Sequence, residues 1–249
     1  MTALTAQAFD EYAETALHFD GPFRFPEACR DAMLLGSGTY IDVGAGDGAV
    51  IRSAHEQGLL ANFSRAIALD VSPLRIARIR SAPFPGLEPV VGEAGAVPLP
   101  SHSVDLAFSH QVIEHVPDDA QMAREIARIL RPGGQAFVTS VVKRWYGWYF
   151  YRCNGKWTLD PTHVREYASG AQFLKLFEDA GLRIVSYKEP QAAHPLDKVA
   201  IWSLVRTNLV ALERARSLYD RPAMRLLGRL AILIPGYRIC EVLVTLPAP

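Results

Sequence analysis

Gly44, Gly46 and Gly48 alternate with small or acidic residues in the stretch from Tyr40 to Arg52, directly after the short apolar run Tyr40 to Val43. Glycines at this spacing let a strand turn sharply into a helix and leave room for a ligand beside the outward-pointing N–H groups of the first helical turn. Asp42 and Asp47 set carboxylates next to that turn, which suits a polar, partly cationic ligand better than a bare phosphate. A second apolar run, Ala66 to Leu69, ends in Asp70, at the distance where a nucleoside-binding fold sets a carboxylate on ribose hydroxyls. His163 and, after it, His115 are the candidates to take a proton from a hydroxyl acceptor, because imidazole titrates near neutral pH.

The elements that must position these residues can be read from periodicity and punctuation. Pro26 opens and Gly36 ends a helix that delivers the chain to the strand at Tyr40; Ala49 to about Gln57 forms the next helix, stopped by Gly58. Ser72 and Pro73 begin a short helix after Asp70 and Val71, and a short third strand lies near Val90 and Val91. A fourth strand, Val104 to Phe108, carries Ser109 and His110 to the carboxyl edge, the rim where open α/β sheets bind ligands. Asp118 caps a helix from Asp119 to Leu130 with Met122, Ile126 and Leu130 inward, and Ala136 to Val141 is a fifth strand. Ser169 and Gln172 form a capping box for a helix ended by Gly181, and Leu182 to Lys188 is a sixth strand. Strands alternating with helices specify an α/β fold with a mostly parallel sheet covered on both faces.

The ordered set of the glycine turn, Asp70, Gly92-Glu93-Ala94, Val112-Ile113-Glu114-His115-Val116 and Leu130-Arg131-Pro132-Gly133-Gly134 resembles the class I S-adenosylmethionine-dependent methyltransferases, over residues 40 to about 141. The likeness is greatest to the broad small-molecule branch with ubiquinone, menaquinone, sugar and natural-product methyltransferases. It implies a Rossmann-like seven-stranded sheet, mostly parallel with an antiparallel last strand, and S-adenosylmethionine as cofactor. It implies cofactor contacts from Asp42, Gly44, Ala45, Gly46, Asp70, Val71, Glu93, Ala94, Ser109 and His110, with Glu93 accepting from the adenine amino group. Tyr12, on an amphipathic helix over residues 3 to 19, is the residue suited to close over the cofactor. The helix 170–180 and the stretch 160–167 before it, including Arg165, fall on the substrate side.

The run 144–152 packs six aromatics between basic residues, and Trp145, Trp148 and Tyr149 are candidates for the acceptor pocket, with core packing as the alternative. The main departure from the family pattern is an insert between Lys188 and the last strand, Tyr237 to Val244. Residues 198 to 234 read as helical and basic, with an apolar stripe through Ile201, Val205 and Leu209 and later Leu226, Leu230 and Ile234. Three uses are open: a lid or homodimer face, a surface for anionic lipid or a phosphate-bearing acceptor, and a solvated basic face.

The chain has 249 residues, is 49% hydrophobic and carries a formal net charge of zero. That suffices for one large core, read as a single domain: a cap over 1–38, a cofactor core over 39–189 with the aromatic segment 143–168, the insert 190–236 and a final strand 237–247. Zero net charge gives no global pull toward nucleic acid. Three scattered cysteines argue against a disulfide framework and a zinc site, and fit a reducing cytoplasm. Neither a secretory signal nor a membrane span is expected, and no oxygen-ligand metal trio is visible near the fourth strand. The function expected is methyl transfer to a small-molecule hydroxyl, of a sugar, a lipid-linked glycan or a natural product. The rivals are a nicotinamide-dependent oxidoreductase and an inactive binding module.

Overall fold

The computed structural model describes residues 9–10, 23–149, 151–153, 156–160, 162–219 and 221–248. Tyr12 and, apart from Phe9 and Asp10, the expected helix over 3–19 lie outside them. The described elements are α1 (Glu27–Leu35), β1 (Gly38–Val43), α2 (Ala49–Glu56), β2 (Phe63–Asp70), α3 (Pro73–Arg80), β3 (Leu87–Val91), β4 (Val104–His110), α4 (Asp119–Ile129) and β5 (Leu130–Lys143). After them come β6 (Tyr151–Cys153), β7 (Lys156–Thr158), α5 (Gly170–Asp179), β8 (Arg183–Lys188), β9 (Gln191–Pro195), α6 (Leu196–Arg206), α7 (Leu212–Tyr219), α8 (Pro222–Leu227) and β10 (Ala231–Thr245).

One sheet runs in the order β3-β2-β1-β4-β5-β10-β8, and β9 adds to β10 as an eighth strand. From β3 to β5 every pairing is parallel, whereas β10 lies antiparallel to both β5 and β8. The chain order reverses between β1 and β4, which opens a crevice at the carboxyl ends of those two strands. Because both faces are covered, β1 is buried on both: Ile41 and Val43 enter one core cluster and Tyr40 the other. The first cluster is packed by α4 and α5 through Met122, Ile126, Phe173 and Phe177; the second is packed by α1, α2 and α3 through Met33, Ile51 and Ile76.

The helix starts follow local hydrogen bonding. Ser72 Oγ accepts from Arg75 N at 3.1 Å, and Asp118 Oδ1 accepts from Gln121 N at 2.8 Å. Ser169 Oγ accepts from Gln172 N at 3.3 Å, while Gln172 Oε1 accepts from Ala168 N. The three cap oxygens satisfy donors that the first turn leaves open, and Gln172 satisfies the N–H just before the cap.

The insert differs from the reading as one helical region over 198–234. Three short helices end at Leu227, and from Ala231 the chain is extended, pairing Ile232 with His194 and Leu233 with Ala193 on β9. The last strand therefore begins six residues before the expected Tyr237. Arg229 interrupts the apolar run, and the β-branched Ile232 and Ile234 then suit an edge ladder better than a further turn of helix.

Phe137 on β5 is 1% exposed and its ring stacks on Phe108 of β4 with centroids 6.1 Å apart. Replacing Phe137 by Ala should lower unfolding stability by about 3–5 kcal/mol, the range for removing a fully buried aromatic. Urea titration of both proteins measures it, and a loss under about 1 kcal/mol would show that the sheet collapses around the void.

Candidate active site

The glycine turn is tied to β2 by its own backbone. Gly44 N and Ala45 N both donate to Leu69 O at 2.8 Å. Gly44 has φ +81°, and a Cβ there would lie 2.3 Å from Val112 Cγ2, so only glycine fits between the turn and the segment after β4. Asp70 closes the arrangement: its Oδ2 accepts from Gly46 N at 2.8 Å and its Oδ1 from Ser72 N at 2.9 Å. Each carboxylate oxygen retains a further lone pair for a hydroxyl donor. Burial raises the Asp70 pKa against these amide bonds. Val71 is half-buried just beyond it.

Asp42 is 2% exposed, and its Oδ2 has no hydrogen-bond partner. Burial, and then the charge of Asp70, push its pKa up to about 8. Ser109 Oγ donates to Val43 O at 2.9 Å, bridging β4 and β1 across the crevice. Glu93 is exposed in a turn where Ala96 N donates to its carbonyl at 3.1 Å, and Ala94 packs against the first core cluster. The two described residues of the N-terminal segment reach over this rim. Ser72 Oγ hydrogen-bonds Asp10 Oδ1, and the Phe9 ring stands edge-on to His115 at 6.3 Å.

His110 Nδ1 lies 2.8 Å from Thr139 Oγ1, and burial followed by the charge of Lys198 pushes its pKa down to about 4. Gln111, directly after it, has φ +55°, a strained conformation for a residue with a side chain, and its N–H bonds Thr139. Burial, and then the charge of Lys198 on α6, also depress the pKa of His194 on β9. Tyr149 OH lies 2.8 Å from His194 Nε2.

His163 and His115 form a second group. His163 is 7% exposed, with Nδ1 3.1 Å from Glu166 Oε1 and Nε2 4.0 Å from Glu114 Oε1. Glu166 Oε2 accepts from Tyr237 OH at 3.3 Å and lies 3.7 Å from Lys143 Nζ. Glu114 is fully buried, accepts from Ser140 Oγ at 2.9 Å on one oxygen, and leaves the other without a partner. Burial raises its pKa to about 7, although the neighbouring His163 works the other way. His115 stands edge-on to His163 at 4.8 Å, and its Nδ1 is 3.0 Å from Thr162 Oγ1, which in turn donates to Asp160 Oδ1 at 2.5 Å. Burial and the proximity of His163 push the His115 pKa down to about 4. Burial opposes charge on Asp160, but the Thr162 bonds and the two imidazoles outweigh it and lower its pKa.

Among the sequence-derived substrate residues, His115, His163 and Tyr149 come to the interior. Trp145 is 94% exposed and Trp148 44% exposed, on the outer surface. Arg165 faces backbone: its guanidinium donates to the carbonyls of Ile113, Val116 and Pro117, which the loop after β4 leaves open. Glu114, Ser140, Glu166, Tyr237, His194 and Lys198 are not among the site residues that the sequence singled out. A Glu beside a His between apolar residues was the one visible signal for Glu114; the rest depend on long-range contacts. Glu114, His115 and His163 also offer ligand atoms within 4.8 Å of one another, a trio hidden in sequence because His163 is far from the other two along the chain.

A family model described as a methyltransferase domain matches residues 41–138. The chain is 33% identical over 145 residues to a probable S-adenosylmethionine-dependent methyltransferase of Mycolicibacterium smegmatis, covering 58% of this chain and 51% of that protein. It is 26% identical over 191 residues to a ubiquinone biosynthesis O-methyltransferase of Pseudomonas paraeruginosa, covering 73% and 80%. The chain thus spans about half the length of the first curated relatives it matches. The fold is also that of the [4+2]-cyclase SpnF, with a TM-score of 0.62 at 19% identity over 100% of this chain and 99% of the other.

The Asp42 carboxyl keeps its proton in the folded protein far above the ordinary 3.8, so its contribution to stability is complete below that value and is lost as pH rises through about 8. Urea midpoints of the native protein should fall relative to Asp42→Asn across that window, and parallel profiles would show that Asp42 titrates as an exposed acid. The buried carboxyls of Asp42 and Asp70 and the glycine turn thus lie together at the carboxyl ends of β1 and β2. Residues 41–138, which carry them, match the methyltransferase domain, and two curated relatives at 33% and 32% identity are named as probable S-adenosylmethionine-dependent methyltransferases.

Proposed function

We propose that the chain transfers a methyl group from S-adenosylmethionine to a hydroxyl of a small-molecule acceptor, with His163 as the general base. The observation that carries this reading is the placement of His163, buried between the carboxylates of Glu166 and Glu114 at the carboxyl end of the sheet. When bound, the cofactor supplies an electrophilic methyl on a sulfonium and leaves as a neutral thioether. The protein then needs mainly to align the acceptor, exclude water and receive the acceptor's proton.

Glu166 on the Nδ1 side favours the tautomer with a proton there, which frees Nε2 to accept one from the acceptor oxygen. The imidazolium that results lies between two carboxylates. Glu114 Oε1, at 4.0 Å, is beyond hydrogen-bond reach of Nε2, so that nitrogen is not already engaged by it. His115, tied through Thr162 to Asp160, packs edge-on against His163.

The acceptor proposed is a sugar, a natural product or a lipid-linked glycan. Asp47 is ion-paired with Arg78 at 2.9 Å, so its charge no longer argues against a pyrophosphate. What favours a methyl donor over a nicotinamide is the family match over residues 41–138. Titration calorimetry should find S-adenosylmethionine binding and no binding of NAD. In an acceptor screen, His163→Ala should retain the cofactor affinity and lose roughly 10²–10⁴-fold in turnover on a hydroxyl acceptor. Full turnover by a folded His163→Ala protein would remove His163 from the mechanism.

A further inference from the structure

The insert and the aromatic segment meet at one place on the surface. Arg144 N donates to Gly236 O at 2.8 Å and Trp148 N to Pro235 O at 3.4 Å. Gly236, at φ +71°, lets the two backbones touch: a Cβ there would lie 2.4 Å from Gly147 Cα. The loop carrying Trp145, Tyr146 and Trp148 therefore rests on β10 at Pro235 and Gly236, shortly after Ile232 and Leu233. The side chains of Trp145, Tyr146, Trp148, Ile232 and Leu233 are exposed, as are Leu226 and Leu230 just before that strand.

Charge follows the same stretch. From Arg221 to Cys240 the sequence holds four arginines and neither Asp nor Glu, in a protein whose formal net charge is zero. Arg221, Arg225 and Arg229 are exposed and recur every fourth residue, between the leucines. Trp and Tyr favour the headgroup level of a bilayer, aliphatic side chains the acyl boundary, and arginine stems lie along apolar surface while the guanidinium meets phosphate. No described helix is long and apolar enough to cross a membrane, so such a contact is made at the surface.

We propose that this face, formed by the Trp145–Trp148 loop and residues 221–233, seats on the surface of an anionic phospholipid bilayer. A second copy of the chain fits it less well. A two-fold contact sets the same patch against itself, which brings Arg221 and Arg229 against their own copies. An anionic leaflet instead presents the opposite charge along the exposed row of arginines. The proposal concerns binding alone and stands whether or not the site transfers a methyl group.

The test uses the full chain with vesicles of phosphatidylcholine alone and with one third phosphatidylglycerol, by co-sedimentation and by quenching of tryptophan fluorescence with brominated lipid. The protein should pellet with the anionic vesicles, and its tryptophans should be quenched there. Binding should fall roughly tenfold or more at about 0.5 M salt and in the double variant Arg221→Glu, Arg229→Glu. Equal partition to neutral and anionic vesicles, or none to either, would overturn the proposal using the unaltered protein. A concentration-dependent dimer in sedimentation velocity that Leu230→Asp breaks, together with no vesicle binding, would overturn it in favour of a second copy.

Discussion

The pair of hydrogen bonds that Asp70 accepts from backbone N–H groups is the constraint on which the rest of the crevice depends. Gly46 N–H belongs to the turn after β1 and Ser72 N–H to the turn after β2, so one carboxylate locks the ends of two adjacent strands in register. A charge-assisted acceptor is required there because both donors are open N–H groups near helix starts, and burial leaves little water to satisfy them. Gly44 then has to be glycine, Val112 can close against it, and the loop after β4 is brought back over β1. Ser109, bonded to Val43 O, completes the same seam from the other side.

A second chain of polar contacts runs from that loop to the later part of the sequence. Glu114 is on the loop after β4, His163 and Glu166 come after the two-stranded β6-β7 ribbon, and Tyr237 comes from β10. Arg165 holds the loop by its carbonyls, so the segment that supplies His163 also fixes the geometry of Glu114. Three distant stretches thus share one buried polar cluster, in which acids and imidazoles shift one another's protonation. Two of its members, Glu114 and His115, move in opposite directions because burial opposes charge on both, and charge means deprotonation for one and protonation for the other.

The order of strands and helices up to β5 was legible in the sequence because it is written in short-range signals: apolar runs, Ser72 and Asp118 as caps, and glycines at turns. The glycine turn was legible for the same reason, since Gly44, Gly46 and Asp70 lie at spacings that local geometry dictates. The polar cluster was not, because nothing near His163 in the chain shows that Glu114 will lie 4.0 Å away. The insert misled in a particular way. Leu226, Leu230 and Ile234 keep a helical spacing, yet pairing with β9 turns Ala231–Leu233 into strand, and a ladder partner cannot be seen in a one-dimensional pattern.

Gly236 ties two parts of the chain that are almost ninety positions apart. A single added carbon there would collide with the backbone of Gly147 and lift the aromatic loop from its support. Substitutions in that loop and in the β10 arm are therefore not independent. In any descendant of this chain, reshaping one would demand a compensating change in the other, so the two segments would drift together through evolution as a single unit.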